Sequence, residues 1–111
     1  MNMYAKSAIK AFEYMKNGFE KEEAWKKAVC EFTKSIESQK KPCPKNAFFG
    51  LVGAADTKNA LYARKALDIL RSNPNHNYSI DELWPLVVDG PKRHDSQMDV
   101  VLALWNNGSI R

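Results

Sequence analysis

Residues 94–105 read HDSQMDVVLALW, and the apolar positions of this stretch cover well over half of a helical circumference. A helix that is apolar on most of its sides is stable only when other elements surround it. We therefore predict that these residues form the central or a shared helix of the fold, capped by Asp95 or by Ser96 with Asp99. Four side chains are predicted to be nearly fully buried, namely Trp105, Leu102, Val101 and Phe48.

Five helical segments are predicted before this one, at about residues 2–16, 21–38, 44–55, 57–72 and 79–88. No window of alternating β-branched residues predicts a strand. A chain of 111 residues suits one compact domain. The fold class is therefore predicted as all-α, a single helical domain over residues 1–111 with about six helices.

The first two segments are predicted to pair as a helix hairpin that packs on a bundle of the shorter helices. Asn17-Gly18 is a credible end for the first helix, because both residues tolerate positive φ. The second helix carries an apolar stripe at helical spacing, made by Trp25, Val29, Phe32 and Ile36. Two helices that are joined by a short connection and whose apolar stripes face each other typically pack antiparallel.

Two local signals predict details of the remaining helices. Ser79 and Glu82 have the spacing of a capping box, which predicts the start of the fifth helix. Gly50 and Gly53 lie inside the third segment, where each costs about 1 kcal/mol against alanine. Their presence indicates either the close approach of another helix or an early end of this one.

Composition and charge narrow the class of protein. No apolar run reaches the roughly 20 residues of a membrane-spanning helix, and no membrane partner is expected. Residues 1–45 hold ten lysines and six glutamates, so the whole net charge of +4 arises there. This surplus is compatible with nucleic acid or another anionic partner, although nucleic acid is the less favoured of the two.

Cysteine and histidine spacing argue against a metal site and a disulfide framework. Twelve residues separate Cys30 from Cys43, and seventeen separate His76 from His94, so zinc-finger spacing is absent. Two cysteines are also too few for a disulfide scaffold in a chain with this apolar content. We expect two reduced thiols in a cytoplasm, and no cofactor.

Cys43 and His94 are the candidate catalytic residues. Cys43 lies between two prolines near a predicted helix start, with lysines on both sides, and these features favour a thiolate. Paired with His94, it would form a nucleophile and base. A structural position for Cys43 at the helix cap is the favoured interpretation. We nevertheless predict that the two segments meet in space and form a positive pocket suited to an anion.

Polar residues cluster at the start of the last helix, and they supply most of the candidate binding residues. These candidates are Lys45, His94, Ser96, Gln97 and Asp99. Acidic side chains in a first turn are favoured by the helix dipole and need no catalytic explanation. Gln97 lies near the apolar arc and is predicted to be a buried hydrogen-bonding anchor.

Two motifs, Cys43-Pro44-Lys45-x-Ala47-Phe48-x-Gly50-Leu51 and His94-x-Ser96-Gln97-Met98-Asp99-Val100-Val101-x-Ala103-Leu104-Trp105, resemble a family of small uncharacterised bacterial proteins. Asn59-x-x-Tyr62-Ala63 is a third match, and together the three cover about a third of the chain. In that family a longer loop separates the first and second motifs, whereas only Val52 to Lys58 intervene here. The resemblance implies a bacterial cytoplasmic protein and supplies no activity.

These observations favour a helical binding protein that acts through self-association or a protein or anionic partner. Two other functions remain open at this point. One is a cysteine-dependent enzyme that uses Cys43 and His94, and the other is a nucleic-acid-binding domain that uses the N-terminal lysines. A concave pocket joining Cys43 to His94 would favour the enzyme, and a continuous lysine stripe would favour nucleic acid.

Overall fold

The last helix, α7 (Gln97–Asn106), lies at the centre of the molecule in the computed structural model, which describes all 111 residues. Every residue from Gln97 to Trp105 is buried except Asp99. Four other helices, α1, α4, α5 and α6, pack around it. The predicted central helix is confirmed, and so is the burial of Phe48, Val101, Leu102 and Trp105.

The architecture is all-α, as predicted, with six helices of eight to fifteen residues and one additional helical turn. The bounds are α1 Met3–Lys16, α2 Lys21–Phe32, α3 Ile36–Gln39, α4 Pro42–Val52, α5 Lys58–Ser72, α6 Ile80–Val87 and α7 Gln97–Asn106. The Cα radius of gyration is 13.0 Å, which is the value expected for one globule of this length. None of these helices has the length and apolar character required to cross a membrane.

The N-terminal hairpin of α1 and α2 is confirmed. Gly18 adopts φ +101° in the turn between them, a conformation that glycine reaches without strain. Tyr14 near the end of α1 donates a hydrogen bond to Glu31, and Tyr4 near its start donates one to the carbonyl oxygen of Ser38. These pairs show that the chain from α2 to α3 runs back along α1.

The predicted length of the second helix was wrong. It ends at Phe32 rather than Ser38, because Thr33 is extended and a separate turn, α3, follows. The Thr33 Oγ1 accepts a hydrogen bond from the Ser35 backbone N–H, and the Ser35 Oγ accepts one from Ser38. Such side-chain bonds compete with helical bonds. As a result Ile36 leaves the apolar stripe and is 65% exposed, while Phe32 is 40% exposed.

The third predicted segment is displaced toward the N-terminus. We predicted about Pro44 to Ala55, but α4 begins at Pro42 and ends at Val52, so Gly53 lies just beyond the helix. Gly50 is retained inside α4 because α5 crosses there. A Cβ on Gly50 would lie 2.4 Å from the backbone oxygen of Ala60. Close packing of a second helix therefore explains Gly50, and an early helix end explains Gly53.

Side-chain caps begin α5 and α6 as the sequence indicated. Thr57 accepts a hydrogen bond from the Ala60 backbone at the start of α5. At the start of α6 the Ser79 hydroxyl accepts from the Glu82 backbone, and the Glu82 carboxylate accepts from the Ser79 backbone. Both halves of the predicted capping box are thus present.

Substituting Gly50 with alanine is expected to destabilise the protein. The new methyl group would collide with backbone atoms of Ala60, which cannot rotate away. We expect a loss of about 1–3 kcal/mol or more, despite a helix-propensity gain of up to about 1 kcal/mol. Urea denaturation measures the loss. The control is Gly53→Ala, whose Cβ would meet the flexible end of Lys21 and, at 3.4 Å, the backbone oxygen of Phe49. An equal loss in both variants would contradict the explanation.

Truncating Leu102 to alanine tests the central position of α7. Leu102 is buried in the core cluster, so its removal leaves a cavity beside the central helix. We expect a loss of roughly 2–5 kcal/mol in the free energy of unfolding. Thermal or urea denaturation followed by circular dichroism measures it. A loss below about 0.5 kcal/mol, typical of surface positions, would contradict the assignment.

Candidate functional site

The N-termini of three helices, α1, α4 and α7, meet around residues 94–96. Asn2 is the N-cap of α1, and its side-chain oxygen accepts a hydrogen bond from the Ala5 backbone at 2.8 Å. The Nδ2 of the same side chain donates to the Ser96 Oγ at 3.3 Å. Lys41, the N-cap of α4, forms an ion pair with Asp95. The starts of α1 and α4 are thus joined to the segment that precedes α7, by Asn2 at Ser96 and by Lys41 at Asp95.

Asp95 takes the place of the anion that the sequence led us to expect here. A carboxylate near helix N-termini is stabilised by the macrodipoles and by unpaired backbone N–H groups. The hydrogen bond to Asp95 raises the pKa of the Lys41 ammonium above its usual value. The segments that start α4 and α7 thus do meet, through Lys41 and Asp95. The charge between them is balanced by the chain's own residues.

The predicted cap of α7 was wrong, because neither Asp95 nor Ser96 with Asp99 caps it. Ser96 occupies the N-cap position in a left-handed conformation, φ 67°, and its side chain makes no capping bond. His94 supplies the acceptor instead, since its Nε2 accepts a hydrogen bond from the Met98 backbone at 3.1 Å. An acceptor Nε2 requires the neutral ring with its proton on Nδ1.

The His94 ring is held in place by aromatic contacts. Its centroid lies 5.1 Å from that of Trp84, nearly edge-to-face, and Trp84 packs against Tyr62 at 5.5 Å. The indole N–H of Trp84 donates a hydrogen bond to the carbonyl oxygen of Lys92. This bond ties the segment just before His94 to α6. Burial lowers the pKa of His94, and it outweighs the carboxylates of Asp99, Asp95 and Asp81, which raise it.

Gln97 is the buried polar anchor that the sequence predicted. It is 3% exposed, and its Oε1 accepts a hydrogen bond from the Asp95 backbone. Its Nε2 donates to the Asn59 side chain on α5 at 3.0 Å. Asn59, within the third motif, was not among our candidate residues. The Gln97–Asn59 bond shows that the second and third motifs meet at this junction.

Asp99 belongs to this junction as well, since its Oδ2 lies 3.9 Å from the His94 Nε2. Cys43 is half-buried in the first turn of α4, and Lys45 lines a cavity between α2, α3 and α4. Asp99 lines a shallow depression beside Asn2. Neither Cys43 nor His94 lines any of the five principal cavities of the surface. The chemical pairing of Cys43 with His94 stays a prediction.

Sequence reasoning missed Asn2 and Lys41, which hold the junction together. Asn2 carried one readable signal, since asparagine before a helix is a preferred cap. The sequence gives no signal for Lys41, because its partner Asp95 is distant in sequence and no local pattern links the two residues. No group of three His, Cys, Asp or Glu side chains is arranged to hold a metal ion.

The pH dependence of stability tests the role of His94. Its pKa lies below 6.5 in the folded protein, so below that pH the unfolded chain binds a proton that the folded chain does not. Stability therefore falls as the pH drops from about 6.5 through the folded pKa. Protonation also removes the acceptor for the Met98 N–H. Urea denaturation between pH 7 and 5 should show a smaller loss in His94→Gln than in the wild type.

The control for that experiment is His76→Gln, which removes an imidazole from an exposed loop. His76 bonds the Glu82 carboxylate and no backbone N–H of α7. If His94→Gln and the wild type lose equal stability as the pH falls, the assignment of His94 as a buried, neutral histidine is contradicted.

Comparisons with known proteins place the chain in one family. No curated protein and no solved structure matches it. The motifs resembled a family of uncharacterised proteins, and a match to a family of unknown function confirms this. The match to the DUF6979 family of unknown function extends over residues 1–111, and the chain therefore belongs to that family.

Proposed function

We propose that the protein is a binding module that self-associates through a face formed by α1 and the end of α2. The observation that carries the proposal is the exposure of two large apolar side chains, Phe32 and Ile36, on either side of the break after α2. Isolated exposed apolar residues are ordinary. Each of these two lines a depression that borders α1, which supports a shared role.

The face continues onto α1. Phe32 lines a depression of about 310 Å³ together with Ile9 of α1, and Ile36 lines a second one with Tyr4 of the same helix. Both depressions therefore border α1. We name this surface, defined by Ile9, Phe32 and Ile36, the apolar face.

The rim of the apolar face carries both signs of charge. Lys6, Lys10 and Glu13 line the Phe32 depression, and Lys10 lies 3.7 Å from Glu13. Two copies related by a twofold axis present the same patch to each other. A rim of mixed sign lets the lysines of one copy approach the glutamate of the other. This charge pattern favours a second copy of the chain over a strongly acidic or basic partner.

The surface of the monomer is large enough for a dimer interface of standard size. A standard interface buries about 800 Å² on each partner, roughly an eighth of the 6307 Å² surface of the monomer. Few large apolar residues are exposed, so we expect a weak dimer with a dissociation constant of tens of micromolar. Location in the bacterial cytoplasm belongs to the same proposal, and the two free thiols, Cys30 and Cys43, support it.

The experiment is sedimentation velocity over a concentration series from 1 to about 500 µM. We expect the weight-average mass to rise toward that of a dimer in the wild type. The double variant Phe32→Glu/Ile36→Glu should remain a monomer throughout, because like charges would face each other across the interface. Circular dichroism checks that this variant keeps its helical content.

The matched control is Leu61→Glu/Leu86→Glu. Leu61 and Leu86 are also about half exposed, at 50% and 51%, but they lie on α5 and α6. The control should associate as the wild type does. A wild type that is monomeric at 500 µM, or a control that dissociates as fully as the Phe32/Ile36 variant, would overturn the proposal.

A further inference from the structure

A cavity of about 290 Å³ lies between α2, α3 and α4. Trp25 of α2 and Phe49 of α4 form its apolar wall. The Trp25 ring is fixed by packing on Phe48, with centroids 5.2 Å apart. This volume lies at the lower end of the range for small-molecule sites, so the cavity suits a ligand of one or two rings.

The charged residues of the cavity are mostly positive. Lys26, Lys40 and Lys45 line it together with a single acid, Glu22. None of these four side chains takes part in the ion pairs of the protein, which involve other residues. Three unpaired ammonium groups against one carboxylate leave a charge of +2. A phosphate monoester, which carries between one and two negative charges at neutral pH, matches that balance.

Two hydrogen-bonding groups of the wall lack a partner. Gln39 donates its Nε2 to the carbonyl oxygen of Thr33 at 2.9 Å, which fixes the amide and leaves its Oε1 without a bond. Trp25 is 2% exposed, and its Nε1 is the one buried side-chain nitrogen or oxygen in the protein that has no hydrogen-bond partner. Buried indole donors ordinarily have an acceptor. This nitrogen is shielded from the cavity, so the Gln39 Oε1 is the free hydrogen-bonding atom of the wall.

We infer that the cavity binds a small aromatic or heterocyclic phosphate monoester. The ring lies against Trp25 and Phe49, and the phosphate is held by the three lysines. A donor on the ring completes the hydrogen bonding of the Gln39 Oε1. This site shares only Lys40 with the depressions of the apolar face, since its other lining residues are absent from both.

The probe for the test is phenyl phosphate, titrated into the ¹⁵N-labelled protein. We expect a saturable shift of the Trp25 indole N–H signal, with a dissociation constant below 1 mM. The Trp84 indole, bonded to Lys92, should shift little and serves as the internal reference. Inorganic phosphate and phenol, which each lack one half of the ligand, should bind at least tenfold more weakly.

The variant that tests the lysines is Lys26→Gln/Lys45→Gln. This variant leaves Lys40 unchanged, because Lys40 also lines the depression that contains Ile36 on the apolar face. We expect at least a tenfold loss of phenyl phosphate affinity. The control, Lys58→Gln/Lys65→Gln, removes the same charge from exposed positions of α5, and it should bind as the wild type does.

Three outcomes would overturn the inference. The first is no saturable shift of the Trp25 indole, and the second is equal binding of inorganic phosphate and phenyl phosphate. The third is an equal loss in both lysine variants, together with tighter binding of a single-stranded oligonucleotide than of phenyl phosphate. That last result would assign the lysines to a dispersed electrostatic surface for nucleic acid.

Discussion

The burial of α7 on nearly all sides is the constraint on which the rest of the structure depends. Only one side chain between Gln97 and Trp105 reaches the surface appreciably, so the other helices must enclose this one. The close crossing of α4 and α5 at Gly50 and Ala60 is part of that enclosure. Burial also removes the solvent that would otherwise satisfy the first backbone N–H groups of α7. The chain has to supply their partners.

Among the residues that attracted functional interest, His94 meets that requirement, while Gln97 and Asp95 connect the start of α7 to neighbouring helices. His94 accepts the Met98 N–H, Gln97 connects α7 to Asn59 of α5, and Asp95 pairs with Lys41. A buried polar network stabilises a fold only when each member finds its partner. Their arrangement explains why polar groups are concentrated beside the most apolar helix. Three lysines that take part in no ion pair lie elsewhere, around the cavity between α2, α3 and α4.

Local physics determines which features could be predicted from the sequence. The burial of α7 and the Ser79–Glu82 capping box each depend on residues within one helical turn or face, and both were predicted correctly. The end of α2 was not, because apolar spacing continues past Phe32 while Thr33 and Ser35 form competing bonds. Lys41–Asp95 joins residues that are distant in sequence, and the cavity at Lys45 is assembled from three helices. Neither has a local pattern.

The position of Asn2 has a consequence for how the chain is made. Its side chain joins the first helix to Ser96, so this contact forms only after the chain has been synthesised as far as the start of the last helix. The same order applies to the core, because α7 is translated after every helix that covers it. At 5–20 residues per second, the nascent chain spends several seconds with its apolar faces uncovered. Apolar surface that is exposed in this way is prone to aggregation.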